Sequence, residues 1–130
     1  MPLRLKINLV PGFSYTTATH EFPVDIVVST EAPTEIYSRV DVSAALLTKI
    51  DSETTFGYVM RVTPAKRQLI PLLPQEPIRM RINVFEHDDD FEDYRAGCYR
   101  CDIKVEVGEK VGEDVRYLVL EGSVEVGIEN

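Results

Sequence analysis

The chain has 130 residues, 44% of them hydrophobic, which is enough to bury one core, and we expect a single domain over residues 1–130. Its formal net charge of −8 argues against nucleic-acid binding, which needs a dense basic surface. The longest apolar runs are too short to cross a bilayer, and the alternating N-terminus is typical of a first strand rather than a signal peptide. With no signal peptide or transmembrane segment in this chain, we expect a cytoplasmic protein.

The N-terminal region predicts two β-strands, because apolar residues occupy every second position. The first alternating segment stops at Pro11-Gly12, and the second begins after Pro23. The apolar positions of the two segments are Leu3, Leu5, Ile7, Leu9, Val24, Ile26 and Val28.

The segment from Val40 to Ile50 fits two structures. Its apolar residues suit a strand, and they also suit a short helix within residues 43–50 that is capped by Asp41 or Ser43. We favour a strand that turns at residues 51–53, because residues 54–62 are rich in β-forming residues and would supply its hairpin partner.

Four prolines lie close together between residues 64 and 77, namely Pro64, Pro71, Pro74 and Pro77. Proline has no backbone N–H, so this stretch is not a central strand, and we interpret it as an extended connection. Its apolar residues are expected to cover an edge of the fold, the alternative being that they contact a partner.

The C-terminal half continues the two-residue period. Residues 78–85 alternate, residues 99–107 alternate up to Gly108, and two further short strands are expected on either side of a break at Gly122. A strand about every dozen residues, with turn residues between, indicates an all-β fold, which we take to be an antiparallel β-sandwich of about seven to eight strands.

The two cysteines, Cys98 and Cys101, lie in one of these predicted strands. A spacing of three along a strand points them to opposite faces, so we do not expect a disulfide between them. A redox pair needs a helix N-terminus, and a four-thiolate zinc site needs a second pair. The pattern therefore favours two structural thiols.

Directly after the strand at residues 78–85 comes the acidic run Glu86-His87-Asp88-Asp89-Asp90-Phe91-Glu92-Asp93. Two like charges about 5 Å apart repel by roughly 0.8 kcal/mol in water, so the crowding needs good solvation or a neutralising cation. Alternate residues of an extended loop point the same way, and the spacing excludes an EF-hand. The candidate metal ligands are Glu86, Asp88, Asp90 and Asp93, with calcium as the possible cation; the alternative is a solvated acidic turn.

Residues 82–98 resemble the C2 domain family. The resemblance is carried by Ile82-Asn83-Val84-Phe85-Glu86-His87-Asp88 and by Asp93-Tyr94-Arg95-Ala96-Gly97-Cys98, where a strand leads into spaced acids, an aromatic residue and a glycine. It implies an eight-stranded sandwich with calcium ligands at Glu86, Asp88 and near Asp93, used for docking to a membrane or a partner. The first loop, Thr19-His20-Glu21-Phe22-Pro23, lacks the aspartate that calcium-binding members have there.

Two classes of function follow. The favoured one is a non-enzymatic interaction or assembly module, which binds a protein partner or a second copy and whose acidic loop would bind a cation optionally. The alternative is a calcium-dependent, C2-like docking domain. Arg79 and Arg81 share one strand face and, with Arg61, Lys66 or Arg67, would form a basic strip for anionic lipid or an acidic partner; they also suit the polar face of a half-exposed sheet.

Overall fold

The computed structural model describes residues 3–61, 68–86 and 92–130, and these residues form nine strands. Among them, no helix is long and apolar enough to span a membrane. The prediction of an all-β fold is confirmed, although the sequence pattern indicated only seven or eight strands. The strands are β1 (Leu3–Leu9), β2 (Pro23–Thr30), β3 (Thr34–Tyr37), β4 (Asp41–Lys49), β5 (Thr55–Val59), β6 (Leu69–Leu72), β7 (Ile78–Asn83), β8 (Gly97–Val111) and β9 (Asp114–Ile128).

The strands form two antiparallel sheets. The smaller sheet has the order β1-β2-β7, and the larger has the order β5-β4-β8-β3-β6 with β9 paired to β8. β9 pairs with β8 along the whole 15 residues of β8. Since a strand has only two edges, β4 and β3 share the other edge of β8, β4 along its first part and β3 near its end. Strand β8 is therefore the centre of the larger sheet.

The core lies between the two sheets. The inward side chains of β8 have no exposed surface, and the three central inward side chains of β2 are equally buried. Burying one such side chain contributes about 1.5 to 3 kcal/mol. These residues are Tyr99, Cys101, Ile103, Val105 and Val107 on β8, and Val24, Ile26 and Val28 on β2.

The opposite orientation of the two cysteines is confirmed. Cys98 is exposed, Cys101 is buried, and both are free thiols. Burial raises the pKa of the Cys101 thiol to about 12, so this thiol is protonated at neutral pH. Cys101 is a small apolar core residue rather than a nucleophile.

The ambiguous segment forms strand β4, as favoured, and pairs with β5 in a hairpin. The turn includes Glu53, which has φ 58°. No helix forms within residues 43–50; instead the register of β4 against β8 shifts between Val42 and Ala44. On the C-terminal side of this shift, Ala45 and Leu47 of β4 are fully buried in the core.

Two glycines that were expected to end strands lie inside them. β8 continues through Gly108 to Val111, and β9 is a single strand through Gly122. Gly122 lies inside the strand because there is little space for a side chain at this position: a Cβ there would lie 3.0 Å from the Cδ1 atom of Ile7 on β1. Glycine allows the edge of the smaller sheet to approach β9 closely.

The interpretation of the proline-rich stretch as a connection is wrong in part. Part of it, residues 69–72, is strand β6, which pairs with β3 at the end of the larger sheet. Pro71 is tolerated because an edge strand has one side without ladder hydrogen bonds. Leu72 is buried, as expected for cover, and Pro64 lies outside the described residues.

A buried carboxylate lies where β3, β8 and β9 meet. The side chain of Glu109 is almost fully buried. It accepts hydrogen bonds from the Thr34 hydroxyl at 2.9 Å and from the Arg116 guanidinium at 3.1 Å. Both carboxylate oxygens therefore have a partner, which a buried charge requires.

We predict that Gly57→Ala lowers the free energy of unfolding by about 2 kcal/mol or more, because it adds both backbone strain and overpacking. Gly57 has φ 113°, and a Cβ there would lie 2.0 Å from the Ala45 carbonyl oxygen. Urea denaturation measures the change. Gly127→Ala is the control, since no atom lies within 4 Å of its added Cβ, and an equal loss in both variants would contradict the assignment.

Candidate functional site

The two ends of the acidic run are described, and its middle is not. Glu86 and Asp93 are exposed, whereas Asp88 and Asp90 lie outside the described residues. In the part of the chain that the structure describes, no three potential ligands group around a common point. The convergence of the four carboxylates on a cation therefore stays a prediction.

A buried aromatic cluster holds both ends of this run. Phe85 precedes it and Tyr94 follows it, and their ring centroids are 5.1 Å apart in an edge-to-face contact. Phe56 lies 5.7 Å from Phe85 and 5.4 Å from Tyr94, and Tyr99 lies 6.0 Å from Tyr94. Edge-to-face pairs add about 0.5 to 1.5 kcal/mol beyond the area they bury. The residues on either side of the acidic run, Phe85 and Tyr94, are thus held together by packed rings.

Asn83 fixes the direction in which the chain leaves β7. Its side-chain oxygen accepts hydrogen bonds from the backbone N–H of Phe22 at 2.9 Å and of Phe85 at 3.1 Å. The Val84 N–H also donates to the Phe22 carbonyl at 3.0 Å. This role was not predicted from the sequence, although an asparagine whose side chain bonds the backbone two residues on is a known turn signal.

One atom of the aromatic cluster has an unusual environment. The hydroxyl oxygen of Tyr94 is buried and has no hydrogen-bond partner among the described residues. Burial raises the pKa of this hydroxyl well above its ordinary value, so it is neutral. The hydroxyl of Tyr99, by contrast, donates to the Arg95 carbonyl at 2.6 Å.

These environments predict opposite effects for two equal substitutions. Tyr94→Phe should raise the free energy of unfolding by up to about 1 kcal/mol, because a buried unpaired polar group is removed. Tyr99→Phe should lower it by about 1 kcal/mol, because a hydrogen bond is lost. Urea denaturation of both variants tests the pair, and a loss of stability in Tyr94→Phe would count against this arrangement.

Four basic side chains lie on the outer surface of the smaller sheet, and we call this surface the basic face: Arg4 and Lys6 on β1, and Arg79 and Arg81 on β7. All four are exposed. The prediction that Arg79 and Arg81 share one face opposite Met80 and Ile82 agrees with the burial pattern of β7. The contribution of β1 was not expected, because it depends on the pairing of β1 and β7 with β2.

Two of these four cations have carboxylate partners. Arg81 contacts Asp25 through two hydrogen bonds of 2.7 and 3.2 Å, and Arg4 pairs with Glu31. The hydrogen bond from Arg81 holds the pKa of Asp25 below its ordinary value. Within the described residues, Lys6 and Arg79 have no ion pair.

The larger sheet presents a different surface at β9. The outward side chains of Tyr117 and Val119 are 49% and 55% exposed, which is high for apolar residues in a strand. Tyr117 lies beside Tyr37, with 6.2 Å between ring centroids, and the Tyr37 ring covers Gly108, where a Cβ would lie 2.4 Å from its Cδ2 atom. We call Tyr37, Val115, Tyr117 and Val119 the β9 patch.

The backbone edge of β9 beside this patch is open. In the described parts of the chain, β9 pairs with β8 alone. The first hydrogen bond on its outer side is made beyond its end, where the Glu129 N–H donates to the Tyr15 carbonyl at 3.1 Å. Among the described residues no second strand pairs along this 15-residue strand, which contains no proline, and an edge of this kind can accept another strand.

Comparison of the chain with protein-family models, with characterised proteins and with solved structures gave no match. The resemblance to C2 domains is therefore neither supported nor opposed by a relative.

Calcium binding predicts a measurable stabilisation. If the four acids converge on a cation, we expect weak binding, with a dissociation constant on the order of 10⁻⁴ to 10⁻³ M. Ten millimolar calcium should then raise the melting temperature, because a ligand at about a hundred times its dissociation constant stabilises the folded state by about 2.7 kcal/mol. Asp88→Asn should remove the gain, and it should raise stability in chelator by relieving repulsion. Glu113→Gln, in an exposed turn, is the control. A response no larger than that to monovalent salt of equal ionic strength would exclude the site.

Proposed function

We propose that this chain is a non-enzymatic interaction and assembly module that associates with a second copy of itself through the edge of β9. The open β9 edge, together with the exposed apolar side chains next to it, is the observation that supports this function. Natural sheets usually protect such an edge with charges, prolines or a covering segment. Pairing with another strand satisfies the backbone groups and buries the apolar side chains in one step.

A symmetric dimer suits this edge. A two-fold axis near Leu118 runs the two β9 strands antiparallel and sets Tyr117 of one copy beside Val119 of the other. Aromatic and β-branched residues make favourable cross-strand pairs, each contributing about 0.2 to 1 kcal/mol. Because both copies use the same surface, the assembly closes at two chains and does not extend into a fibre.

The neighbouring charges are compatible with this contact. Away from the patch, the outer face of β8 and β9 carries opposite charges in cross-strand positions, such as Lys104 and Glu121 at 3.3 Å. Arg116 is turned toward the buried Glu109. The apolar part of the face is thus limited to the end of β9 that begins after the turn.

We predict that sedimentation velocity detects a concentration-dependent dimer. Val119→Lys should weaken association about tenfold or more, because each copy would place a charge against the other. Tyr117→Ser should weaken it less, because it removes the aromatic ring without adding a charge. Both positions are exposed, so the thermal stability of the monomer should change little.

Val59→Lys is the matched control. Val59 is 74% exposed and belongs to β5, the strand at the other end of the larger sheet. If Val59→Lys abolishes the dimer while Val119→Lys does not, the assembly uses β5 and the proposal is wrong. A chain that stays monomeric at all concentrations, or that forms open-ended aggregates, also contradicts it.

A further inference from the structure

We propose that the basic face binds an acidic peptide segment, a run of glutamates or aspartates in extended conformation, lying above β2 between the basic side chains of β1 and β7. This site is separate from the β9 edge, and it assigns the chain a second partner. The geometry of the smaller sheet carries the inference.

Strand pairing sets the positions of the charges. Val27 in the middle of β2 lies opposite Lys6 on one side and Arg79 on the other. Neighbouring strands are about 4.8 Å apart, so these two cations lie on either side of an apolar floor and about 10 Å apart at the backbone. Successive side chains of an extended peptide point to opposite sides, and those of a peptide above Val27 would point toward the two basic rows.

The surface beside the β7 row is recessed. A depression of about 410 Å³ lies over this part of the sheet and is lined by Asn8, Asp25, Val27, Arg79, Met80 and Arg81. Its floor is apolar at Val27, and its walls carry side chains that donate hydrogen bonds. A peptide backbone and its carboxylates find both kinds of contact there.

The pattern of ion pairs indicates where the ligand charge would bind. Asp25 already neutralises Arg81, and Glu31 pairs with Arg4. Lys6 and Arg79, which flank Val27, have no ion pair among the described residues. Two separated carboxylates of one peptide would pair with them directly.

An anionic membrane suits this face less well than a peptide. Recruitment of a protein to a membrane by charge uses clusters of about four to eight cations, whereas here two of the four are already paired. The chain as a whole carries a net charge of −8, which a negative membrane surface repels. A narrow acidic peptide needs only the local positive strip.

The test uses the full chain and a fluorescein-labelled octaglutamate, with octaglutamine as the uncharged control peptide. We expect fluorescence anisotropy to detect octaglutamate binding at low ionic strength, weakening as salt screens the charges. Lys6→Glu/Arg79→Glu should weaken binding about tenfold or more. Lys110→Glu/Arg61→Glu changes the net charge equally at other exposed sites and should leave most of the affinity. Melting curves check that both variants fold.

A gain in affinity provides the second arm. Asp25→Asn removes the one carboxylate from the depression and releases Arg81, so octaglutamate should bind about threefold or more tighter. Val119→Lys should bind octaglutamate like the unaltered chain, which separates this site from self-association. No binding of octaglutamate, equal loss in both double variants, or binding to vesicles of anionic phospholipid in place of the peptide would overturn the proposal.

Discussion

The whole structure depends on one strand, β8, which is hydrogen-bonded to other strands along both of its edges. β8 pairs with β9 along one edge and with β4 and β3 along the other, while its inward side chains fill the space between the sheets. Every other element takes its position from this strand: β5 is held through β4, β6 through β3, and the smaller sheet packs across the core. The charged end of this arrangement, at Glu109, is stable only because Arg116 and Thr34 satisfy its carboxylate.

Three surfaces follow from this arrangement, and they differ in chemistry. The end where β7 leads into the acidic run is closed by aromatic rings and by the Asn83 side chain. The outside of the smaller sheet is basic, although the chain is strongly acidic overall. The far edge of the larger sheet is apolar at β9, and in the described residues it pairs with no strand other than β8. β7 contributes to the first two surfaces and β9 to the third, so a substitution on β9 is expected to leave the other two unchanged.

Period-two alternation was enough to predict the all-β fold and the orientation of the two cysteines, whereas the strand at β4 was favoured over a helix because residues 54–62 offered it a hairpin partner. It failed where the reason for a residue lies in another strand. Gly122 was predicted to end a strand, but it lies inside β9, where the absence of a side chain lets Ile7 approach closely. Pro71 was predicted to lie in a connection, but it lies in the edge strand β6, where proline is tolerated. The basic strip at Arg79 and Arg81 was predicted, but the contribution of Lys6 was missed for the same reason: Lys6 and Arg79 are far apart in sequence and are brought to one face only by the register of β1 and β7 on β2.

The turn between the two longest strands has a consequence for how the chain folds. Val111 pairs with Asp114, so only Gly112 and Glu113 form the loop, and Gly112 has φ 63°, the left-handed conformation that a tight hairpin turn uses. The longest pair of strands in the described structure, β8 and β9, is therefore joined by a loop of only two residues, and closing so short a loop costs little chain entropy. Pairing can spread from this turn one neighbouring residue pair at a time, without a search for distant segments. We therefore expect the hairpin of β8 and β9 to form early in folding.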